Sequence, residues 1–266
     1  MLYKRIKRAS KSALLFLFLS WDLTPGVAQG EPCPIQREDQ RAVVSYVYDG
    51  DTVRLDSGER VRIVGIDAPE LGRDGQPHEP YAVESRDALR ALLARSKNHV
   101  ILQYGNERRD RHGRLLAYLF LPDGTNVQRV LLEQGLVMQV HVAPNTEFAD
   151  CLAPIEQTAK LARVGIWSLP EYEPGLDSRS IPADTRGAVI VRGRVERVGR
   201  SRHAVWVNLE GRVALRINRE DAARFGDLDA LEGRLVRARG WLVADNSRYQ
   251  DWRMNLSSPH SLEVLD

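Results

Sequence analysis

Arg41-Ala42-Val43-Val44-Ser45-Tyr46-Val47-Tyr48-Asp49-Gly50-Asp51-Thr52-Val53-Arg54-Leu55-Asp56-Ser57-Gly58-Glu59-Arg60-Val61-Arg62-Ile63-Val64 decides the fold. Its β-branched residues fall in three short runs, and between them stand Asp49-Gly50-Asp51 and Asp56-Ser57-Gly58. Asp-Gly and Ser-Gly between such runs favour tight reversals, because glycine takes positive φ with no Cβ to clash. The stretch therefore reads as a meander of three strands.

Working outward, residues 80–94 form the first helical pattern, with Pro80 near the start and Ala82, Leu89, Leu92 and Leu93 on one stripe. Residues 100–104 and 115–121 read as two more strands. A second helix runs from about Asn126 to a stop at Gly135, and a third from about Leu152 to Gly165. Five strands with helices beside them predict an α+β unit over residues 31–170, built on a small barrel of the OB type. Pro170, Pro174, Gly175, Pro182 and Gly187 mark residues 171–187 as a linker. Beyond it, apolar runs at 189–198, 205–209, 213–217 and 235–243 read as strands of a second domain, 188–266.

The N-terminus belongs to neither domain. Lys4, Arg5, Lys7, Arg8 and Lys11 precede an apolar run over residues 13–21 that Asp22 breaks. That run is about half the 20 residues a membrane span needs, so residues 1–30 read as a secretory signal, with Gly26 and Ala28 suited to cleavage after Ala28. A secreted or periplasmic protein without a stable membrane span is expected.

Without residues 1–30 the chain keeps 33 Lys and Arg against 35 Asp and Glu, so overall charge offers no argument for a polyanionic partner. Charge is unevenly spread, however, because residues 185–266 carry 15 Arg against 11 acids. Cys33 and Cys151 are too few and too far apart for a zinc site. In an oxidising compartment they either close one disulfide or stand as two unpaired thiols, at least one of them buried.

Three segments carry chemistry: Asp49-Gly50-Asp51-Thr52, then Arg62 through Asp67-Ala68-Pro69-Glu70, then Asp110-Arg111-His112-Gly113-Arg114. Singly, each has a bland reading as a turn, a strand end or a solvated loop. Together they hold what phosphodiester hydrolysis needs. Carboxylates at Asp51 and Asp67 suit a hard divalent cation such as calcium. Arg62 and Arg114 offer planar donor pairs for the non-bridging oxygens, which gain charge in the transition state. Glu70, three residues after Asp67 across a proline-fixed turn, is placed to take a proton from water.

The three segments, their order and the strand-then-helix layout resemble the staphylococcal nuclease domain over roughly residues 41–170. Glu79-Pro80-Tyr81, Glu133-Gln134-Gly135-Leu136 and Gly165-Ile166-Trp167-Ser168 add to the likeness. The resemblance implies a calcium-dependent endonuclease acting on DNA and RNA. It implies Asp51 and Asp67 as metal carboxylates, the Ala68 backbone carbonyl as a further ligand, and Asp49 as an outer-shell acid. Arg62 and Arg114 would bind phosphate, and Glu70 would serve as general base. His112, with Val140 and Val142, falls where the best-known member has tyrosines about the bound nucleotide, which implies weaker affinity and less base preference.

The C-terminal sequence, through Leu231-Glu232-Gly233-Arg234-Leu235 and Leu256-Ser257-Ser258-Pro259-His260, looks like the small OB-like β-barrel found behind some bacterial nuclease domains. Trp206, Trp241, Tyr249 and Trp252 with the local arginines read either as a single-strand platform or as core tryptophans under solvated arginines. His78, His99, His141, His203 and His260 lack ligand spacing and read as surface or packing residues. The alternatives to an enzyme are a catalytically weak nucleic-acid-binding module and an envelope interaction module. The full set of metal and arginine positions favours the enzyme.

Overall fold

The three runs form strands β1 (Gln40–Val47), β2 (Thr52–Leu55) and β3 (Arg60–Ile63), antiparallel neighbours in chain order. Val53, Leu55, Val61 and Ile63 turn into the core while Arg54 and Arg60 face water, as the two-residue period of a half-buried strand requires. The computed structural model describes residues 32–245 and 247–266, so the expected signal over residues 1–30 lies outside the described residues. Among the described residues no helix is long and apolar enough to cross a membrane.

Next come β4 (Ile66–Asp67), α1 (Ala82–Ala94), β5 (His99–Arg109) and β6 (Leu115–Phe120). β6 lies parallel to β3, and β5 pairs with both β6 and β1, which closes a five-stranded barrel in the order β1-β2-β3-β6-β5. The remaining elements of this half are α2 (Val127–Glu133), β7 (Met138–Gln139) and α3 (Ala149–Leu161). α1 begins at Ala82 because Tyr81 stands in the left-handed region at φ 68° and turns the chain into the helix. α2 is capped by Asn126, whose side chain accepts from the Arg129 amide.

Gly135 stops α2 and packs against Gly165, whereas α3 ends at Leu161, short of the expected Gly165, because Arg163 takes the left-handed region at φ 53°. Both glycines have positive φ, the Ile166 amide donates to the Gly135 carbonyl at 2.9 Å, and a Cβ on Gly165 would lie 2.0 Å from that oxygen. Only glycine fits at this contact. A Cys33–Cys151 disulfide ties the start of the described chain to α3 across 118 residues, a closure worth about 4–5 kcal/mol in the chain-entropy account.

The second half contains β8 (Leu176–Asp177), β9 (Ala188–Arg200), β10 (Ala204–Leu209), β11 (Val213–Asn218), β12 (Leu235–Ala244), β13 (Trp252–Leu256) and β14 (Leu262–Val264). Here β9-β10-β11-β13-β12 closes back on β9, and β11 runs parallel to β13. This is the strand order of the first barrel repeated, with the third and fifth strands parallel in each. Part of the stretch read as a linker is built into the sheet: Leu176 and Asp177 pair in parallel with Val191 and Arg192.

The described residues of both barrels form one compact unit, and its seam explains why. Met138, Val140, Ala159, Ile166 and Trp167 of the first half share an apolar cluster with Ile190 of β9. Around it the Arg239 guanidinium bonds the buried Glu156, Lys160 Nζ meets Glu263 at 3.0 Å, and His141 Nδ1 lies 2.8 Å from Ser261 Oγ. Burial holds the His141 imidazole down at about 3, with the charges of Arg239, His260 and Arg224 acting in the same direction.

An unfolded histidine titrates near 6.5. The unfolded chain therefore binds the extra proton first, and stability falls as pH drops through the window from about 6.5 to 3. Urea unfolding at pH 5 should give about 2 kcal/mol less stability from this residue than at pH 7.5. His141→Gln should remove that part of the difference.

Candidate active site

The Asp49-Gly50-Asp51 reversal is shaped by its own side chains. Asp49 Oδ1 accepts from the Asp51 amide at 3.0 Å, an Asx turn, and the Tyr48 amide closes onto the Thr52 carbonyl at 2.9 Å. Gly50 lies directly under α1, where a Cβ would fall 1.9 Å from Ser85 Oγ and 2.8 Å from the Ala68 Cβ. The absence of a side chain lets helix, turn and the Asp67-Ala68 segment meet.

Asp51 is thereby buried at 6% exposure with both carboxylate oxygens engaged. Oδ1 accepts from Thr52 Oγ1 at 2.9 Å, and Oδ2 from the Ala68 amide at 2.7 Å and from Arg62 Nη1 at 2.9 Å. Arg62 bridges to the second aspartate, with Nη2 2.5 Å from Asp67 Oδ1. Its Nη1 also donates to the carbonyls of Ile63 and Ile66, at 3.0 and 2.9 Å, so the guanidinium braces the loop that presents Asp67. The sequence motifs grouped Asp51, Asp67, Arg62, Arg114 and Glu70 in one site, but did not reveal this ion-paired chain of Asp51, Arg62 and Asp67.

Acid outnumbers base here. Burial raises the Asp51 carboxyl, and the charges of Asp49 and Asp67 raise it further against the pull of Arg62. Asp67 is held up at about 6 by burial and then by Glu70, Glu79 and Asp49, with Arg62 opposing. Glu70, at the exposed rim, is raised by partial loss of hydration and then by Asp49 and Glu79, while Arg62 and Arg73 lower it. Arg62 is itself kept charged against burial by Asp51, Asp67, Asp49 and Glu70. Five carboxylates thus act on one another around one buried guanidinium. Hard oxygen donors in excess of local positive charge are the donor set that suits calcium. Among the described residues no three acidic, histidine or cysteine side chains converge closely enough to form a cage by themselves. A cation here would need backbone oxygen and water besides Asp51 and Asp67.

Two foreseen residues stand apart from this cluster. Arg114 is engaged by its own loop, with Nε 2.7 Å from Asp110 Oδ2, while Asp110 Oδ1 accepts from the amides of His112 and Arg114. His112 is exposed and takes a bond from Arg111 Nε at 3.1 Å. The parallel pairing of Val61 with Leu115 nevertheless sets Arg114 beside the strand that carries Arg62. Sequence reasoning assigned no role to Glu79, whose Oε2 accepts from the Glu70 amide at 2.8 Å and so fixes the rim loop. It also passed over Tyr172, half-buried near Glu79 and Asp67, whose charges raise its hydroxyl after loss of hydration does. The adjoining Glu79-Pro80 was the available signal for the first, and nothing local marked the second.

Residues 60–169, from β3 to the turn after α3, match the staphylococcal nuclease homologue family. The SPbeta prophage-derived endonuclease YokF of Bacillus subtilis (strain 168) is 35% identical over 128 residues, 47% of this chain and 43% of that protein. Endonuclease YncB of the same strain is 34% identical over 141 residues, 52% of this chain and 66% of that protein. The thermonuclease of Staphylococcus intermedius is 32% identical over 129 residues, 47% of this chain and 74% of its own length. The chain spans less than two thirds of the two Bacillus relatives, and the second barrel lies outside the family match. A closed five-stranded barrel with three helices, and this identity to a protein three quarters covered by the match, place the chain in the staphylococcal nuclease family.

Proposed function

We propose that this protein is an exported, calcium-dependent nuclease that hydrolyses phosphodiester bonds of DNA and RNA. The observation that carries the reading is the Asp51–Arg62–Asp67 ion-paired chain with Glu70 at its rim, an acid-rich cluster where β2, β3 and β4 meet. Three relatives named as endonucleases or a thermonuclease support the activity, and the Cys33–Cys151 disulfide supports an oxidising compartment.

Asp51, Asp67 and the Ala68 backbone carbonyl would hold calcium, with Asp49 in the outer shell. When bound, the ion supplies positive charge that polarises the phosphate and lowers the pKa of water. Glu70 accepts the proton of the attacking water, a role that its raised pKa favours by bringing it nearer to neutral pH. Arg62 reaches a phosphate oxygen by giving up one of its two carboxylates, and Arg114 does so by releasing Asp110. Both then donate to oxygens whose charge grows in the transition state. His112, on the Arg114 loop, would line the nucleotide without the stacking area of a tyrosine.

The test is release of acid-soluble nucleotides from DNA and RNA with calcium and with EGTA. Cleavage of both polymers in calcium and its loss in EGTA are expected. Equal rates in the two buffers would overturn the metal assignment.

A further inference from the structure

The outer face of the second barrel has a composition that the nuclease chemistry does not use. On β10, Val205, Val207 and Leu209 enter the core, which leaves Trp206 and Asn208 outward. Strand register places Gly199 of β9 on one side of Trp206 and Arg216 of β11 on the other, and Asn255 of β13 follows beyond Arg216. The next row reads Arg197, Asn208, Ala214 and Arg253. A Cβ on Gly199 would find only the Asn208 amide nitrogen, at 4.0 Å, so the space beside the indole is open. Trp206 Nε1 is tethered to Ser201 Oγ at 3.3 Å, and the Arg216 guanidinium carbon lies 5.9 Å from the ring centre.

Charge singles out this face. Most arginines elsewhere in the barrel meet carboxylates, such as Arg200 with Asp229, Arg212 with Asp251, Arg234 with Asp266, and Arg237 with Glu263, and on this face Arg253 meets Asp245 at 3.6 Å. Among the described residues, Arg197, Arg202, Arg216 and Arg219 have no carboxylate within 4.0 Å, and they border Trp206 on its sheet and at the hairpin end. Glu196 is the extra residue of the β9 bulge. Unpaired guanidinium groups around an aromatic ring with open space, on a polar sheet face, match the alternating phosphates and bases of a single strand. A duplex hides its base faces and could use the arginines alone.

We infer that this face binds single-stranded nucleic acid, with a base stacked on Trp206 and phosphates on Arg216 and its unpaired neighbours. This deepens the nuclease reading by giving its substrate a second foothold, yet it is measured separately. The full chain in EGTA, where no cleavage interferes, is titrated against fluorescein-labelled 15-mers of oligo(dT) and oligo(U) and a 15-base-pair duplex, followed by anisotropy. Both single strands should bind at least tenfold tighter than the duplex. Trp206→Ala should weaken single-strand binding about tenfold to a hundredfold, and Trp206→Phe should restore most of it. Arg216→Ala should lower the slope of log K against log salt by about 0.7. Trp241→Ala, on the exposed end of β12, should leave binding within twofold. Binding of Trp206→Ala within twofold of the parent, or equal binding of duplex, overturns the inference. Hydrolysis of a small chromogenic phosphodiester, too short to span both barrels, reports the nuclease centre in the same variants, so failure of one reading is distinguished from failure of the other.

Discussion

Glu70→Gln should lower kcat on calf thymus DNA by about 10²- to 10⁴-fold while the far-ultraviolet circular dichroism and the urea midpoint stay those of the parent. Glu70 is at the exposed rim, so the amide costs the core nothing. Its removal also takes away one carboxylate that raises Asp67, so the variant should be no less stable than the parent. What it loses is the ability to accept a proton from water. A drop in kcat with little change in KM separates that role from substrate binding. Parent-like kcat would remove Glu70 from the mechanism.

Arg62→Ala should produce the second large effect, in two measurements at once. In EGTA the variant leaves Asp51 and Asp67 buried without their shared cation, a class of change that costs about 3–5 kcal/mol in urea unfolding followed by tryptophan fluorescence. In calcium, turnover should fall by about 10²- to 10³-fold, because a donor to the transition-state oxygens is gone. Arg62→Lys should recover more stability than turnover: one ammonium replaces the charge but cannot reproduce the fork that meets Asp51, Asp67 and two loop carbonyls. Loss of stability without loss of turnover would make Arg62 a brace alone.

Much of the first barrel was legible because it is written in local signals. Ser57-Gly58 makes a reversal and Gly135 ends α2 through the positive φ that glycine takes freely, a preference that acts within a few residues. The candidate site was legible as ingredients. Which carboxylate Arg62 would meet was not, because the spacing of Asp51, Arg62 and Asp67 along the chain does not state that a single guanidinium bridges both. The seam between barrels was likewise hidden. His141 gave no local sign that burial beside Arg239 and Ser261 awaited it, since its partners lie about a hundred residues away in the chain. Leu176 and Asp177 read as linker because two residues are too few to show a strand period, and their pairing is supplied wholly by β9. Trp206 could be either core or surface by composition, and only the alternation of β10 turned it outward.

The central claim is that Asp51 and Asp67 together hold the ion on which hydrolysis depends. Calorimetric titration of calcium into the full chain, alongside Asp51→Asn and Asp67→Asn, tests it most directly. The account predicts one site in the parent, its loss in either variant, and loss of DNA cleavage in step. Undiminished calcium binding in both variants, with cleavage intact, would contradict it.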